Sequence, residues 1–536
     1  MHGEARRPRI LGRALALAAG LVMALPASIL AGDFPRGWEA YHTYAEVAAD
    51  VAKVEAAHPD IVKRFSIGTS YRGRQLWAVK VTADVHVEHD RPEVLFDGGH
   101  HADEHMGVEM TLRILHWLAD GYGRNARITR LVDTRVVWIV FLVNPDGAEY
   151  DIAYGRFHHW RKNRQPTPGT RYIGTDLNRN YDYHWGGGGR TSSNPAAITY
   201  RGPRPFSAPE TRALRDFLAS RVIDGRQRIR AGISFHESGR LVMWPYGYTR
   251  TDVPRDMTTD DHAALVKIGR SMAATNGYRP EQASDLYITS GTSRDYEYGL
   301  YRTFVYTFEM SITAYPRPWM IASETGRNKE AILRLIDWAW CPLAVLGTTV
   351  RIQRCGAFDD DLEVSRGWTV NPDGTDTAPS TSRWIRGDPQ GTTVSGQPMQ
   401  LASTVSGARA LVTGWKAGST AGQYDLDGTT TARSGPVRLP NAAGQKLLFR
   451  WNFAHGAGST AEDGLKAIIE AQDGTRTVVW SRLGGPALAR GGWRLVTVPL
   501  DAWQGTTIHI RFVATDGGAD NVVEAAVDDV RVTMPS

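Results

Sequence analysis

Cysteine is nearly absent: Cys341 and Cys355 are the only two in 536 residues. No thiolate metal centre can be built from them, and at most one disulfide can form. The alternatives are two separate thiols or, in an exported protein, a bridge closing a short loop worth about 3 kcal/mol. Long apolar runs are equally scarce, and after residue 31 none is long enough to span a bilayer. An excess of one charge is also lacking. The formal net charge is +5, and residues 1–31, with four arginines and one glutamate, account for +3 of it, which leaves +2. That excludes a nucleic-acid or other polyanion binder by net charge. There is no charge block or internal repeat, and 42% apolar with 22% charged residues excludes extended disorder.

The first 31 residues read as a secretory signal. Arg6, Arg7, Arg9 and Arg13 form a basic head, Ala14–Leu25 is apolar, and the small residues Ala27, Ser28 and Ala31 follow Pro26. The alternative is an uncleaved membrane anchor. The length is enough for two or three domains. Helical periodicity is expected over Glu39–Ala57, in Pro209–Ser220 and Asp260–Asn276, and over Lys329–Val345. Strands are expected at Ile61–Ile67, Gln75–Val81, Val94–Phe96, Arg135–Val143, Ala231–Phe235 and Thr303–Phe308. This alternation predicts a mixed-sheet α/β/α sandwich over 32–350. Residues 351–360 read as a linker. From 361 to 536 the chain is rich in Gly, Ser and Thr and patterned as short strands, with Asp473-Gly474 as a hairpin turn. That reads as an all-β sandwich.

The chemistry concentrates after the apolar run Val94–Phe96, where Gly98-Gly99 marks a sharp turn into a helical pattern through Met106, Met110, Ile114 and Trp117. His101 and Glu104 sit on that turn. In a helical turn, three-residue spacing puts an imidazole and a carboxylate on one face, two of the three ligands a catalytic zinc takes. The third candidate is His236, at the end of strand Ala231–Phe235. A His-x-x-Glu pair alone is weak, but further segments follow in order: Trp160-Arg-Lys-Asn-Arg164, Asp176-Leu-Asn-Arg-Asn180, Leu286-Tyr-Ile-Thr-Ser-Gly291 and Thr307-Phe-Glu309.

With those segments in hand, residues 35–348 resemble the zinc carboxypeptidases of the carboxypeptidase A, B and T type. The resemblance implies one Zn²⁺ per chain held by His101, Glu104 and His236, with Asp176 orienting the first histidine. It implies Glu309 as general base and Arg161 as oxyanion stabiliser. Asn178, Arg179 and Tyr287 would hold the substrate's terminal carboxylate. The partners implied are peptides or proteins with a free C-terminus, acted on by a secreted monomer. Two other readings stay open: a peptidase of cell-wall peptides, and a non-catalytic binding protein on the same fold. The intact ligand set and Glu309 speak against the second.

In this family the residue seven positions after the mobile tyrosine lies at the floor of the pocket for the terminal side chain. Counting from Tyr287 reaches Arg294. A buried guanidinium needs an anion. A substrate with C-terminal Glu or Asp would supply one; Asp295, Glu297 or Asp285 would do so instead if the arginine is paired within the chain. His100, His105, His158, His159 and His184 read as packing or surface residues, because three ligands already complete a zinc set. Asp103 and Glu237 depart from the family pattern, and with about ten residues between the signal and the first helix no inhibitory pro-segment is expected. The C-terminal part resembles the jelly-roll modules of secreted bacterial peptidases, through Gly367-Trp368, Tyr424-Asp-Leu-Asp-Gly428 and Val527-Asp-Asp-Val530. Asp425, Asp427 and Asp528 are candidate Ca²⁺ ligands there, against ordinary turn and strand acids.

Overall fold

The computed structural model describes residues 33–518 and 521–535; the expected signal segment lies outside them. Eight strands form the first sheet: β1 (Val62–Thr69), β2 (Gln75–Val81), β3 (Glu93–Gly98), β4 (Val136–Val140), β5 (Ile229–Glu237), β6 (Leu241–Trp244), β7 (Arg279–Gln282) and β8 (Phe304–Met310). Their order is β1-β2-β4-β3-β5-β8-β6-β7. The central run β4-β3-β5-β8 is parallel, and β2 joins it antiparallel at one side and β6 at the other.

The central strands are apolar on both faces because both are covered. Val94 and Phe96 point into a core shared with helices Tyr44–Ala57, His105–Gly121, Thr259–Asn276 and Lys329–Trp338. Leu95, Trp138 and Val140 point the other way, against Leu214, Phe217 and Leu218 of helix Pro209–Ser220. The α/β/α sandwich is therefore as the alternation of elements predicts.

Local chemistry moves several boundaries. The first helix begins at Tyr44 rather than Glu39, because Thr43 and Glu46 form a capping box. The last expected helix ends at Trp338, and the chain resumes as a 3₁₀ turn at Pro342, a residue that cannot donate to the preceding turn. Cys341 and Cys355 are bonded as a disulfide around this turn. The segment 351–360 is not an extended linker. Helix Thr348–Arg354 covers its start, and Phe358–Asp360 pairs with strand Val523–Val532 of the C-terminal β-sandwich.

That sandwich is built from two antiparallel sheets. One centres on Lys446–His455 and Val523–Val532, the other on Gly464–Ala471 and Thr507–Asp516. Phe449, Leu465, Ile510, Phe512 and Val527 fill the space between them. The Asp473-Gly474 turn joins Gly464–Ala471 to Arg476–Leu483. Arg354 ties the two parts together, with Asp260 at 3.2 Å and Asp359 at 2.7 Å.

The Gly-Gly turn after β3 is constrained by close approach. A Cβ at Gly98 would lie 2.5 Å from the Gly107 carbonyl oxygen, and Gly99 has φ +69°. Gly98→Ala should therefore cost about 1–3 kcal/mol, the usual range for overpacking, read as a lower urea midpoint. Removing the disulfide by Cys341→Ser with Cys355→Ser should lower stability by about 3 kcal/mol, measured by the same unfolding curve.

Candidate active site

Register across the parallel strands delivers half of the site. Register partners share a face, and so do residues two apart on one strand. Asp97, Ser234 and Thr307 are partners across β3, β5 and β8, and two residues on His236 is partnered with Glu309. All five side chains therefore stand on one face, at the carboxyl ends of the strands where α/β sheets bind ligands. Ser234 donates to Asp97 at 2.6 Å, and its Oγ lies 3.3 Å from His236 Nε2.

The other half comes from the loop after β3. His101 and Glu104 lie on the turn before the helix, as the Gly-Gly signal suggests. Glu104 precedes helix His105–Gly121 with backbone that is neither helical nor extended (φ −100°, ψ 65°), and its N–H donates to the His101 carbonyl at 3.3 Å. A turn closed in this way brings the two side chains together as a helical turn would. His101 Nδ1 is 2.6 Å from Glu104 Oε1. His236 Nδ1 is 2.8 Å from Glu104 Oε2 and 3.0 Å from His101 Nδ1. All three residues are buried, and their ligand atoms lie within 4.8 Å of one another. Two imidazole nitrogens converging on a buried carboxylate make a donor set that fits Zn²⁺. Burial pushes the His236 imidazole down to about 4, so it is neutral with a lone pair to give. The Glu104 carboxyl, although buried, is held well below its ordinary value by His101 and His236.

Around this trio stand the other expected residues. Asp176 faces His101 Nε2 at 3.3 Å and accepts from Arg161 Nε at 3.0 Å, a carboxylate that orients the histidine from behind. Arg161 also reaches Glu104 at 3.4 Å. Burial opposes its charge, but Asp176 and Glu104 raise its pKa, so the guanidinium stays ionised. The Arg161 carbonyl accepts from the Ala102 N–H, which ties it to the loop of the first ligand. Asn178 lies with Nδ2 3.3 Å from His236 Nε2 and accepts the Ser293 N–H at 3.0 Å. Buried Arg179 donates to the carbonyls of Arg190 and Asn178. Tyr287 is half-buried with the Arg190 guanidinium 5.1 Å from its ring centre. Burial, then repulsion from Glu104, raises the Glu309 carboxyl to about 8.

Arg294 is buried and uses two of its three nitrogens. Nε donates to Asp295 at 3.1 Å and Nη1 to Thr307 at 3.0 Å, while buried Nη2 has no partner. Asp295 also accepts the N–H groups of Gly247 and Tyr248. Asp285 caps Gln282 instead, and Glu297 lies elsewhere, raised by burial and Asp97.

Each extra histidine has its own contact. His100 bonds Tyr181 at 2.8 Å and His105 bonds Asp151 at 3.0 Å. His158 faces the Ala153 carbonyl, His159 packs on Tyr315, and His184 stacks on Tyr248. Asp103 and Glu237 are both raised, chiefly by burial, with Glu104 adding to it. The Asp97–Ser234 pair behind His236 is a positioning feature that reading by motif passes over. Its signal is an aspartate closing the apolar run Val94-Leu95-Phe96. Asp528 is buried and accepts the N–H groups of Val405 and Ser406, while Asp425 accepts that of Val523. Among the described residues only the His101–Glu104–His236 group brings three such ligands together. No helix among them is long and apolar enough to cross a membrane.

Known proteins are similar to this chain over the span that carries the site. The sequence profile of the zinc carboxypeptidase family matches residues 47–331. A zinc carboxypeptidase of Saccharothrix mutabilis subsp. capreolus is 42% identical over 331 residues, 59% of this chain and 74% of that protein. Carboxypeptidase A2 of Rattus norvegicus is 31% identical over 287 residues, 53% of this chain and 65% of its own length. Among solved structures, thrombin activatable fibrinolysis inhibitor superposes with a TM-score of 0.51 at 27% identity, over 57% of this chain and 75% of that one. The matched span holds the sheet, the three converging ligands and the segments around them, and the chain belongs to the zinc carboxypeptidase family.

Proposed function

We propose that this zinc carboxypeptidase removes the last residue of peptides and proteins, with a preference for C-terminal Glu or Asp. The reading of the reaction rests on one observation: two imidazoles and a carboxylate meet beside a half-buried carboxyl and a half-buried, ionised guanidinium. Zinc, when bound, supplies a Lewis acid that lowers the pKa of a coordinated water to about 7.

The chain's own groups divide the rest. Arg179 presents a planar fork to the substrate's terminal carboxylate, with Asn178 and Tyr287 adding hydrogen-bond donors. This requirement for a free terminus makes the enzyme an exopeptidase. Arg161 neutralises the charge that develops on the scissile carbonyl oxygen. Glu309 takes a proton from the attacking water and hands it to the departing amine, so the C–N bond breaks to give a free amine and a new carboxylate.

The acidic preference rests on Arg294. Its unpartnered Nη2 lies on a guanidinium bonded to Thr307, two residues before Glu309 on the same strand face. A side-chain carboxylate of the substrate would supply the missing acceptor. Residues 1–31 direct export, and the enzyme acts as a secreted monomer, with the β-sandwich as an appended module.

Two measurements test this. Glu309→Gln should keep its zinc, read by metal analysis, while kcat falls by about 10²–10⁴; chelation should abolish activity in the parent enzyme, and Zn²⁺ should restore it. A merely binding protein would show no hydrolysis for the variant to lose. On blocked dipeptides differing only in the last residue, Arg294→Ile should lose acidic substrates by about tenfold to a hundredfold and gain apolar ones. An unchanged ratio of kcat/KM values removes the acidic preference without touching the peptidase reading.

A further inference from the structure

At the amino-terminal ends of the strands whose other ends carry His236 and Glu309, the α/β part and the β-sandwich enclose a cleft of about 550 Å³. Eight arginines line it against five aspartates. Four of the five acids are already engaged. Asp90 pairs closely with Arg228, and Asp359 serves Arg354 at 2.7 Å and Arg531 at 3.2 Å. Asp261 accepts from the Tyr298 hydroxyl, and Asp361 accepts the Glu363 N–H while facing Arg302, Arg354 and Arg366 together.

Three guanidinium groups are left poorly matched. Arg226 donates only to the Ala357 carbonyl, at 2.7 Å, with its plane 4.5 Å over Phe358, and its buried Nη2 has no partner. Arg230 donates only to the Trp340 carbonyl, at 2.8 Å. Arg366, from the sandwich side, has its nearest carboxylate oxygen on Asp360 at 4.0 Å, and its buried Nε has no partner. Asp360 itself already accepts from the Leu362 N–H and the Trp368 indole. Burial, followed by repulsion from Arg366 and other arginines, pushes Arg226 and Arg230 down to about 10. Arg230 is exposed and the other two are half-buried, yet crowded like charges without close counter-ions repel, and a guanidinium answers best to the oxygens of phosphate or carboxylate.

We infer that this cleft is a binding site for a phosphate-class oxyanion, held by Arg226 and Arg230 from the α/β part and Arg366 from the β-sandwich. Such an anion supplies acceptors to the orphaned N–H groups, cancels the repulsion among the three arginines and clamps the two parts of the molecule. It does not depend on the peptidase reading. The occupant is either free phosphate or the phosphate groups of a polymer.

Calorimetric titration of the full zinc-loaded chain with inorganic phosphate, and separately with tripolyphosphate, tests this at constant ionic strength set with chloride. Saturable binding and a rise in Tm are expected. Binding of phosphate itself points to the free ion, and binding of tripolyphosphate alone to a polymer. Arg230→Gln and Arg366→Gln should each weaken that binding by about tenfold or more, leaving zinc content and peptide hydrolysis unchanged. Without phosphate they should melt no lower than the parent, because each removes a like charge. No heat with either anion, or a phosphate-dependent Tm rise that persists in the double variant, overturns the inference.

Discussion

A buried carboxylate between two imidazoles is the constraint on which the rest of the site depends. His101, Glu104 and His236 bring their ligand atoms together out of solvent, where each would be costly alone. Proton sharing relieves part of that cost, and a divalent cation relieves more. The surroundings are arranged for the cation. Ser234 and Asn178 approach His236 at Nε2, and Asp176 faces His101 at Nε2, so both Nδ1 atoms turn inward. Arg161, held by Asp176 and Glu104, brings a fixed positive charge to the edge of the trio.

The sheet makes this convergence cheap. One ligand and the half-buried Glu309 are register partners on neighbouring parallel strands, so their spacing follows from the sheet's own geometry rather than from loop conformation. The loop ligands are set by sterics instead. Gly98 and Gly107 leave no room between β3 and the following helix, and so bring His101 and Glu104 to the strand ends. Arg294 is tied to the same strand through its bond to Thr307, two residues before Glu309.

The β-sandwich is attached through charge as much as through apolar contact. Arg354 reaches acids on both sides of the junction, and the strand Phe358–Asp360 begins the sandwich without an intervening flexible stretch. In the arginine-rich cleft beside it the charges of the two parts are left unbalanced, which makes the junction itself a place to look for a ligand.

Much of this was legible in the order of residues. Alternating apolar patterns identify strands and helices because burial demands them locally, and the ligand trio with Glu309 is readable because those residue types in that order carry one chemistry. Element ends were less legible: Thr43 capping and Pro342 set them through backbone hydrogen bonds that periodicity does not register. What stood wholly outside the linear sequence were partnerships between distant side chains. Whether Arg294 is satisfied by Asp295 alone, whether Asp97 stands behind His236, and whether arginines from two parts of the chain share one cleft were decided only by packing. Sequence spacing determines which side chains share a face; burial and register across strands determine which charges meet.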